Sequence, residues 1–392
     1  MTKDDADALD ALLVIYNPVC GHGDGQALFE GTVLPMLRDA GRIPDKIVAT
    51  THSGHAGEVV VEFLQQTTGP VSIVLGSGDG TLHEILCALH AAAVPQADRH
   101  ITFALVPCGT ANALFSSLFP ITPAEDEQLK ASKTHSLRAL LSSKPKSGQS
   151  RPLRLAKTSF LAARDISPTL STPSSVAAVV TSTSFHAGIL HDSESLRASN
   201  PGIERFKIAA QMNATKWYHA RANLFTVMSA VEGSHLIPCV EIFDPAKGYF
   251  VPYHGPGRSE DGRTVTLDGP FTYFLSTVNV DRLEPAFRIT PSQVTFPPSP
   301  VTAPAMMDVA VIRPLRDPSV NAESDVAREQ FAQKTMAVMG GAYRDGAHIQ
   351  MRYGPQGEIV EGEGQGDTVV EYFRCYGWEW LPVGPHCSSQ MM

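Results

Sequence analysis

Val71-Ser-Ile-Val-Leu-Gly76-Ser77-Gly78-Asp79-Gly80-Thr81-Leu82-His83-Glu84-Ile85-Leu86 is the stretch on which the reading of this chain turns. It begins as a short apolar run rich in β-branched residues, the pattern of a buried strand. Glycines at alternate positions, 76, 78 and 80, interrupt it, and Leu82, Ile85, Leu86 and Leu89 then recur at helical spacing. Strand, glycine turn and helix together make a phosphate cradle, in which the backbone can approach an anion and the helix N–H groups point at it. Asp79 sits where a phosphate-binding loop ordinarily avoids negative charge. A carboxylate there is unfavourable unless it holds Mg²⁺ or accepts a proton from an attacking hydroxyl. The loop by itself suggests phosphoryl transfer.

Working outward, the same pattern recurs. Ala11-Leu-Leu-Val-Ile-Tyr16 reads as a strand that runs into Asn17-Pro18-Val19-Cys20-Gly21-His22-Gly23-Asp24-Gly25, followed by a helix over 26–40. A strand at 46–50 leads through Thr51-His52-Ser53-Gly54-His55-Ala56 into a helix carrying Val59, Val60, Phe63 and Leu64 on one face. Ile101 to Val106 is a further buried strand, stopping at Pro107-Cys108-Gly109-Thr110-Ala111-Asn112-Ala113, where Thr110 and Asn112 offer short side chains to a helix start. Strands alternating with helices predict a parallel sheet with helices on both faces, and ligands bind beyond the carboxyl ends of such strands. All the glycine loops fall there.

The chain of 392 residues is long enough for two domains, and a net charge of −9 argues against a nucleic-acid partner or a polybasic membrane anchor. The six cysteines are scattered without a C-x-x-C pair, which predicts free thiols in a reducing compartment. The N-terminal ten residues are acidic and polar, unlike a signal peptide, and no apolar run reaches membrane-spanning length. The expected location is cytoplasmic, with peripheral contact to a membrane.

A polar, helical segment at 123–143 and a Ser/Lys/Pro-rich linker at 142–151 separate a first domain, 1–145, from a second, 150–392. In the second, 154–161, 175–185, 222–231, 236–243, 263–267, 273–280 and 308–313 read as short β-runs, predicting an antiparallel sandwich or open barrel. Helices are expected near 202–218 and 325–339. Trp217 and Tyr218 suit either a membrane interface or a core-packed helix. His186 to Arg197 mixes acids and an arginine after an apolar strand and reads as an exposed strand end.

Together these motifs resemble the lipid kinases, namely the diacylglycerol, ceramide and sphingoid-base kinases. Asn17-Pro18 with Gly21, the 76–80 loop and the 107–113 segment match the family's three nucleotide-site motifs in order. Ser77 and the stretch from Thr50 to Ala56 look most like sphingoid long-chain base kinases of the fungal type, and Asp192-Ser193-Glu194 to Arg197 is similar to a block in ceramide and sphingoid-base kinases. The resemblance implies a phosphofructokinase-like α/β domain joined to a β-rich lipid-binding domain, with ATP and Mg²⁺ as cofactors. The substrate would be a membrane-embedded lipid with a primary hydroxyl, of the sphingoid-base class. Diacylglycerol or ceramide, or a nucleotide- or lipid-binding relative impaired in catalysis, are the alternatives.

Carried onto this sequence, the resemblance makes Asp79 the general base. Asn17, Pro18, Gly21, Thr50, Gly76, Ser77, Gly78, Gly80, Thr81, Gly109, Thr110 and Asn112 would hold the nucleotide, and Glu84 would orient the site or its metal. Arg197 and Arg205 would neutralise phosphate charge, and Asp192 and Glu194 would meet the lipid head group. The chain also departs from the pattern. The family's small residue is Cys20 here, Asp24 stands where a lysine is usual, and Gly188 occupies the place of the acid nearest the head group. Pro304-Ala305-Met306-Met307 replaces an acidic pair ahead of Asp308. The family's final Asp-Gly-Glu strand has no counterpart before Met392, so the second domain is expected to be truncated, with Gly362-Glu363-Gly364 as a possible substitute. A NAD kinase reading lacks support in the Asn17-Pro18 and Asp192 motifs, and no G-x-G-x-x-G opens a dehydrogenase-type helix.

Overall fold

The computed structural model describes residues 10–383 except 22, 93–99, 121–132, 143–149, 161–172, 201, 203, 227–238, 293–305, 363 and 365. His22, most of the expected linker, Pro304-Ala305, Glu363, Cys387 and the last residues up to Met392 lie outside that set. The chain divides into two compact units, Met1–Val179 and Val180–Met392.

In the first unit, β1 (Ala11–Tyr16), β2 (Lys46–Ala49), β3 (Val71–Ser77) and β4 (Ile101–Pro107) form one sheet in the order β2-β1-β3-β4, and every pairing is parallel. The predicted α/β architecture is present. Side chains alternate across a strand, so Leu12, Val14, Val74, Ala104 and Val106 meet one layer of helices. That layer is α1, residues 25–39, and the helix His135–Leu141, which contribute Phe29, Val33, Leu37 and Leu137. The opposite face is covered by α2 (His55–Gln66) and α3 (Asp79–Ala91), whose buried Val60, Leu64, Leu82 and Ile85 continue the predicted helical stripes. The first helix is not uniform: Gly25–Leu28 passes through a π-helical turn, Phe29–Val33, before Leu34–Asp39. Phe29 stacks on Tyr16 with ring centroids 4.7 Å apart, and a side chain at Gly76 would collide with the same phenyl ring. The glycine therefore seats a core aromatic as well as opening a turn. After β4 come α4 (Ala113–Leu118) and α5 (His135–Leu141). The unit ends in the hairpin β5 (Ala156–Ser159) and β6 (Ser174–Ala177), whose Ser174 Oγ lies 3.1 Å from His90 Nε2 on α3.

The second unit opens with β7 (Val180–Thr183) and α6 (Ser184–Ser195), followed by α7 (Glu204–Asn213) and β8 (Ala220–Phe225). Next come β9 (Glu241–Asp244), β10 (Tyr249–Pro252), β11 (Thr264–Asp268), β12 (Tyr273–Thr277) and β13 (Met307–Ile312). It closes with α8 (Asp325–Ala342), β14 (Met351–Tyr353), β15 (Ile359–Glu361), β16 (Glu371–Cys375) and β17 (Gly377–Pro382). A six-stranded antiparallel sheet, β10-β9-β16-β13-β12-β7, faces a three-stranded one, β11-β8-β17. Ala222, Leu224, Leu267, Phe274, Val309 and Phe373 fill the space between them, as a sandwich requires. The other face of the large sheet buries Leu275, Ala310 and Tyr372 against Phe331 and Val338 of α8.

Several sequence expectations are corrected. The run 175–185 is two strands of different sheets, and His186 to Ser195 is helix rather than a strand end. The turn into α6 is made by Ser184 at φ 60, a backbone state that alternating polarity does not reveal. Trp217 is buried in the core beside Phe331, with ring centroids 6.1 Å apart, but it lies beyond the helix α7, which ends at Asn213 rather than near 218.

Candidate active site

The strand register brings three loops level with one another. Tyr16 pairs with Gly76, and Gly76 in turn pairs with Val106, so β1, β3 and β4 end side by side. The ladder continues one step into the loops, with the Asn17 N–H donating to Gly76 O at 2.9 Å and Cys108 N–H to Ser77 O at 3.2 Å. Beyond that point the loops touch through glycine backbone. A Cβ built on Gly109 would meet Gly78 N at 2.9 Å and Gly78 Cα closer still, while one on Gly21, at φ +58, would run into the Cys108 carbonyl oxygen. Gly80 differs, because nothing lies within 4 Å of a Cβ built there. It is an exposed position in the first turn of α3, where free N–H groups give the helix end its positive character.

Asp79 is the group on which the arrangement closes. Its Oδ2 accepts the Ala113 N–H at 2.6 Å and its Oδ1 accepts the Leu114 N–H at 3.1 Å. A carboxylate from the second loop thus caps the short helix α4 that follows the third. Two of its four lone-pair directions are used and two remain. Burial pushes the Asp79 carboxyl above the usual carboxylate range, against the opposing pull of the Leu114 and Ala113 N–H groups. A cavity of about 20 Å³ lies against Asp79, Ser77, Pro107 and Asn112, room for one water molecule.

The other predicted residues of this unit fall into two groups. Asn112, at φ 52, does not cap α4 with its side chain; it folds back on Gly109, its Oδ1 accepting Gly109 N–H at 3.0 Å and its Nδ2 donating to Gly109 O at 2.6 Å. Ser77 and Thr81 join their hydroxyls at 2.5 Å, and Asn17 Oδ1 accepts Val19 N–H at 3.1 Å. Pro18 is half-buried and Thr110 exposed. Thr50 extends the β1–β2 ladder, its N–H donating to Tyr16 O at 2.9 Å. Glu84 is turned away from the glycines. Its carboxylate accepts Ser53 Oγ–H and Gly54 N–H, each at 3.0 Å, and so pins the loop before α2.

The remaining predicted residues lie in the second unit. Asp192, on α6, accepts Asn213 Nδ2–H at 2.7 Å and pairs with His191 at 2.9 Å. The His191 ring and the Asn213 amide hold its carboxyl below the usual range. Glu194 and Arg197 pair with each other and are both exposed. Arg205 is buried, donates to Gly202 O at 3.1 Å and covers the Phe206 ring. A Cβ on Gly188 would lie 2.5 Å from Asn213 Oδ1 and 3.0 Å from Tyr218 OH.

Two contacts escaped the sequence reading, the cap from Asp79 to α4 and the latch from Glu84 to Gly54. Both join residues 30 or more apart to backbone N–H groups, which carry no sequence signature. Among the described residues no group of three or more His, Cys, Asp or Glu could hold a metal ion, and no helix is long and apolar enough to cross a membrane.

Residues 11–144 match the family model described as the diacylglycerol kinase catalytic domain. Sphingoid long-chain bases kinase 1 of Arabidopsis thaliana is 35% identical over 105 residues, 26% of this chain and 13% of that protein. Human sphingosine kinase 2 is 34% identical over 104 residues, 26% of this chain and 15% of its own length. The mitochondrial acylglycerol kinase of Xenopus laevis is 29% identical over 122 residues, 31% and 27% respectively. The aligned segment thus spans well under a third of each relative. Among solved structures, a putative diacylglycerol kinase from Bacillus anthracis str. Sterne aligns over 95% of this chain and 86% of its own, at 14% identity and a TM-score of 0.44. Residues 11–144, about a third of the chain, thus match the diacylglycerol kinase catalytic domain, and stretches of 104–122 residues are similar to sphingoid-base, sphingosine and acylglycerol kinases.

Proposed function

We propose that this protein transfers the γ-phosphoryl group of ATP to the primary hydroxyl of a sphingoid base, with Asp79 as the general base. The observation that carries the reading is the convergence of three glycine loops at the carboxyl ends of β1, β3 and β4. They leave the backbone open at Gly80 and set a carboxylate beside it. Phosphates approach the start of α3 through that opening, where helix N–H groups and the absence of a Cβ favour them. The acceptor oxygen forms a bond to the γ-phosphorus while the bond from that phosphorus to the β–γ bridging oxygen breaks, and ADP leaves. The hydroxyl proton passes to a free lone pair of Asp79. The two N–H groups of α4 hold the carboxylate's direction fixed, so little reorganisation accompanies the transfer. Mg²⁺ would neutralise charge on the phosphates. With Asp79 as the carboxylate at the loop contact, the donor set suits an ion that arrives largely coordinated by the nucleotide.

A second reading has an acylglycerol or a ceramide as acceptor. Gly188 favours it, because the family's head-group acid is missing there and Asn213 already fills the space a side chain would need. The test is transfer from labelled ATP with Mg²⁺ to sphingosine, dihydrosphingosine, phytosphingosine, ceramide and diacylglycerol, by the wild-type chain and by Asp79→Asn. Transfer to a sphingoid base that falls by several orders of magnitude in Asp79→Asn, with ATP still bound, supports the proposal. Transfer confined to diacylglycerol or ceramide selects the second reading. Equal transfer by both proteins removes Asp79 from the chemistry.

A further inference from the structure

Two cysteines far apart in sequence meet where the first and third loops touch. Cys20 lies between Asn17 and Gly21 and packs against the core cluster that contains Cys108. The two thiols are neighbours that act on each other's protonation, and both are free. The backbone holds them there from both sides. Gly21 presses on the carbonyl of Cys108, Cys20 N–H donates to Asn17 O at 3.4 Å, and Cys108 N–H is tied to Ser77. Gly25 adds to the packing, since a Cβ on it would come within 3.7 Å of Cys20 Sγ.

The two thiols are unequal. Cys108 is 4% exposed, whereas Cys20 is half-buried and reachable from solvent. The neighbouring Cys108 lowers the Cys20 thiol from its usual range, while Cys20 and burial push Cys108 up, so the accessible Cys20 is the more acidic of the two. Asp24 and Lys133, ion-paired at 3.5 Å, are the charged groups facing the pair. An accessible thiolate next to a resolving thiol is the arrangement of a peroxide-sensitive site.

We infer that Cys20 and Cys108 form an oxidation site at which a hydroperoxide joins the first loop to the third through a disulfide. The Cys20 thiolate attacks one peroxide oxygen, the O–O bond breaks, and with a proton one water leaves. Cys20 is then a sulfenic acid. Cys108 sulfur attacks the Cys20 sulfur, the S–O bond breaks, and the Cys108 proton leaves with the hydroxyl as a second water. Two thiols and one hydrogen peroxide thus give one disulfide and two waters. The other cysteines have no such partner among the described residues; Cys87 meets His83 and Ser175 instead. The inference rests on the thiol pair alone and stands whichever acceptor the protein uses.

The experiment is differential alkylation and peptide mapping of the full chain, native, before and after hydrogen peroxide. Cys20 and Cys108 are expected to lose alkylation together, in equal amounts. The intact mass should fall by two hydrogens, a Cys20–Cys108 cross-linked peptide should appear, and dithiothreitol should restore all three readings. In Cys108→Ser, a sulfenic-acid probe should label Cys20 and no cross-link should form. In Cys20→Ser, an exposed-side change that spares the buried thiol, Cys108 should stay reduced. Oxidation of Cys20 to higher acids with Cys108 still free in the wild type, a link to any other cysteine, or no reaction at Cys20 would each overturn the inference.

Discussion

Gly78, Gly80 and Gly109 sit within one site, yet alanine at each should behave differently. At Gly109 the new methyl would lie 2.9 Å from Gly78 N and 3.1 Å from Asn112 Oδ1, with Gly78 Cα nearer. The obstacles are backbone, so the loops must part by about 1 Å to restore ordinary contact distances. Forcing extra volume into a packed position costs about 1–3 kcal/mol, or roughly 2–4 °C of melting temperature per kcal/mol for a unit of this size. At Gly78 the methyl would meet Gly109 Cα at 3.1 Å, a deficit of a few tenths of an ångström, and the cost should be under about 1 kcal/mol. At Gly80 it would meet nothing, and alanine in a helix gains about 0.5–1 kcal/mol over glycine. Calorimetry should therefore rank the variants Gly80→Ala at or above wild type, Gly78→Ala slightly below and Gly109→Ala lowest. ATP titration should reverse the fate of position 80, because the methyl that costs no stability occupies the phosphate approach. A Gly109→Ala protein that melts like wild type would refute the loop contact, and a Gly80→Ala protein that binds ATP normally would refute the phosphate approach.

Glu84→Gln should loosen the segment before α2, since Ser53 Oγ–H and Gly54 N–H both lose a charged acceptor and one of them is left facing an NH2 group. The expected loss is about 1–2 kcal/mol, with faster amide exchange at Gly54, and exchange unchanged there would dispose of the latch. Asp79 binds its proton more tightly folded than unfolded, so its contribution to stability is greatest at acid pH and is lost as pH rises through its raised value. The difference in stability between wild type and Asp79→Asn should therefore shift toward the variant over that interval, and a pH-independent difference would contradict the burial argument. The same raised value should move the acid limb of the rate profile upward from the ordinary carboxylate range. Arg197→Ala should leave stability within about 0.5 kcal/mol, because the Arg197–Glu194 pair is exposed, so any lost turnover reports function rather than folding. Asp308→Ala should cost about 3–5 kcal/mol by denaturant unfolding, since it strands the buried Arg374.

The first unit was the more legible half. Its β-branched runs and its stripes at 59–64 and 82–89 report burial directly, and the structure has strands and helices at those places. Gly78 signalled a backbone open to an anion and Gly109 a turn, but their contact with each other needed the register Gly76↔Val106 to become visible. The role of Asn112 was misjudged because an Asn before a helix ordinarily caps it; here Asp79, 34 residues before Ala113, takes the N–H groups and frees the amide for Gly109. In the second unit, strand existence was readable but partners were not. Alternation assigns a face, not a sheet, so 175–185 seemed one strand while its halves pair with β5 and β12. The α6 helix, with polar residues throughout, has little periodicity to announce it.

Asp308 and Arg374 are directly opposed across β13 and β16, with Tyr372 OH on the same carboxylate. Both neighbouring strands alternate apolar residues toward two buried faces, so hydrophobicity alone would accept more than one alignment. A slide by one residue would leave a carboxylate and a guanidinium in the interior without each other, at a cost of several kcal/mol apiece. The ion pair contributes little net stability over an apolar pair of similar size. Its effect is to make one alignment of the central sheet tolerable and its neighbours not, so the pair fixes the register of β13 against β16.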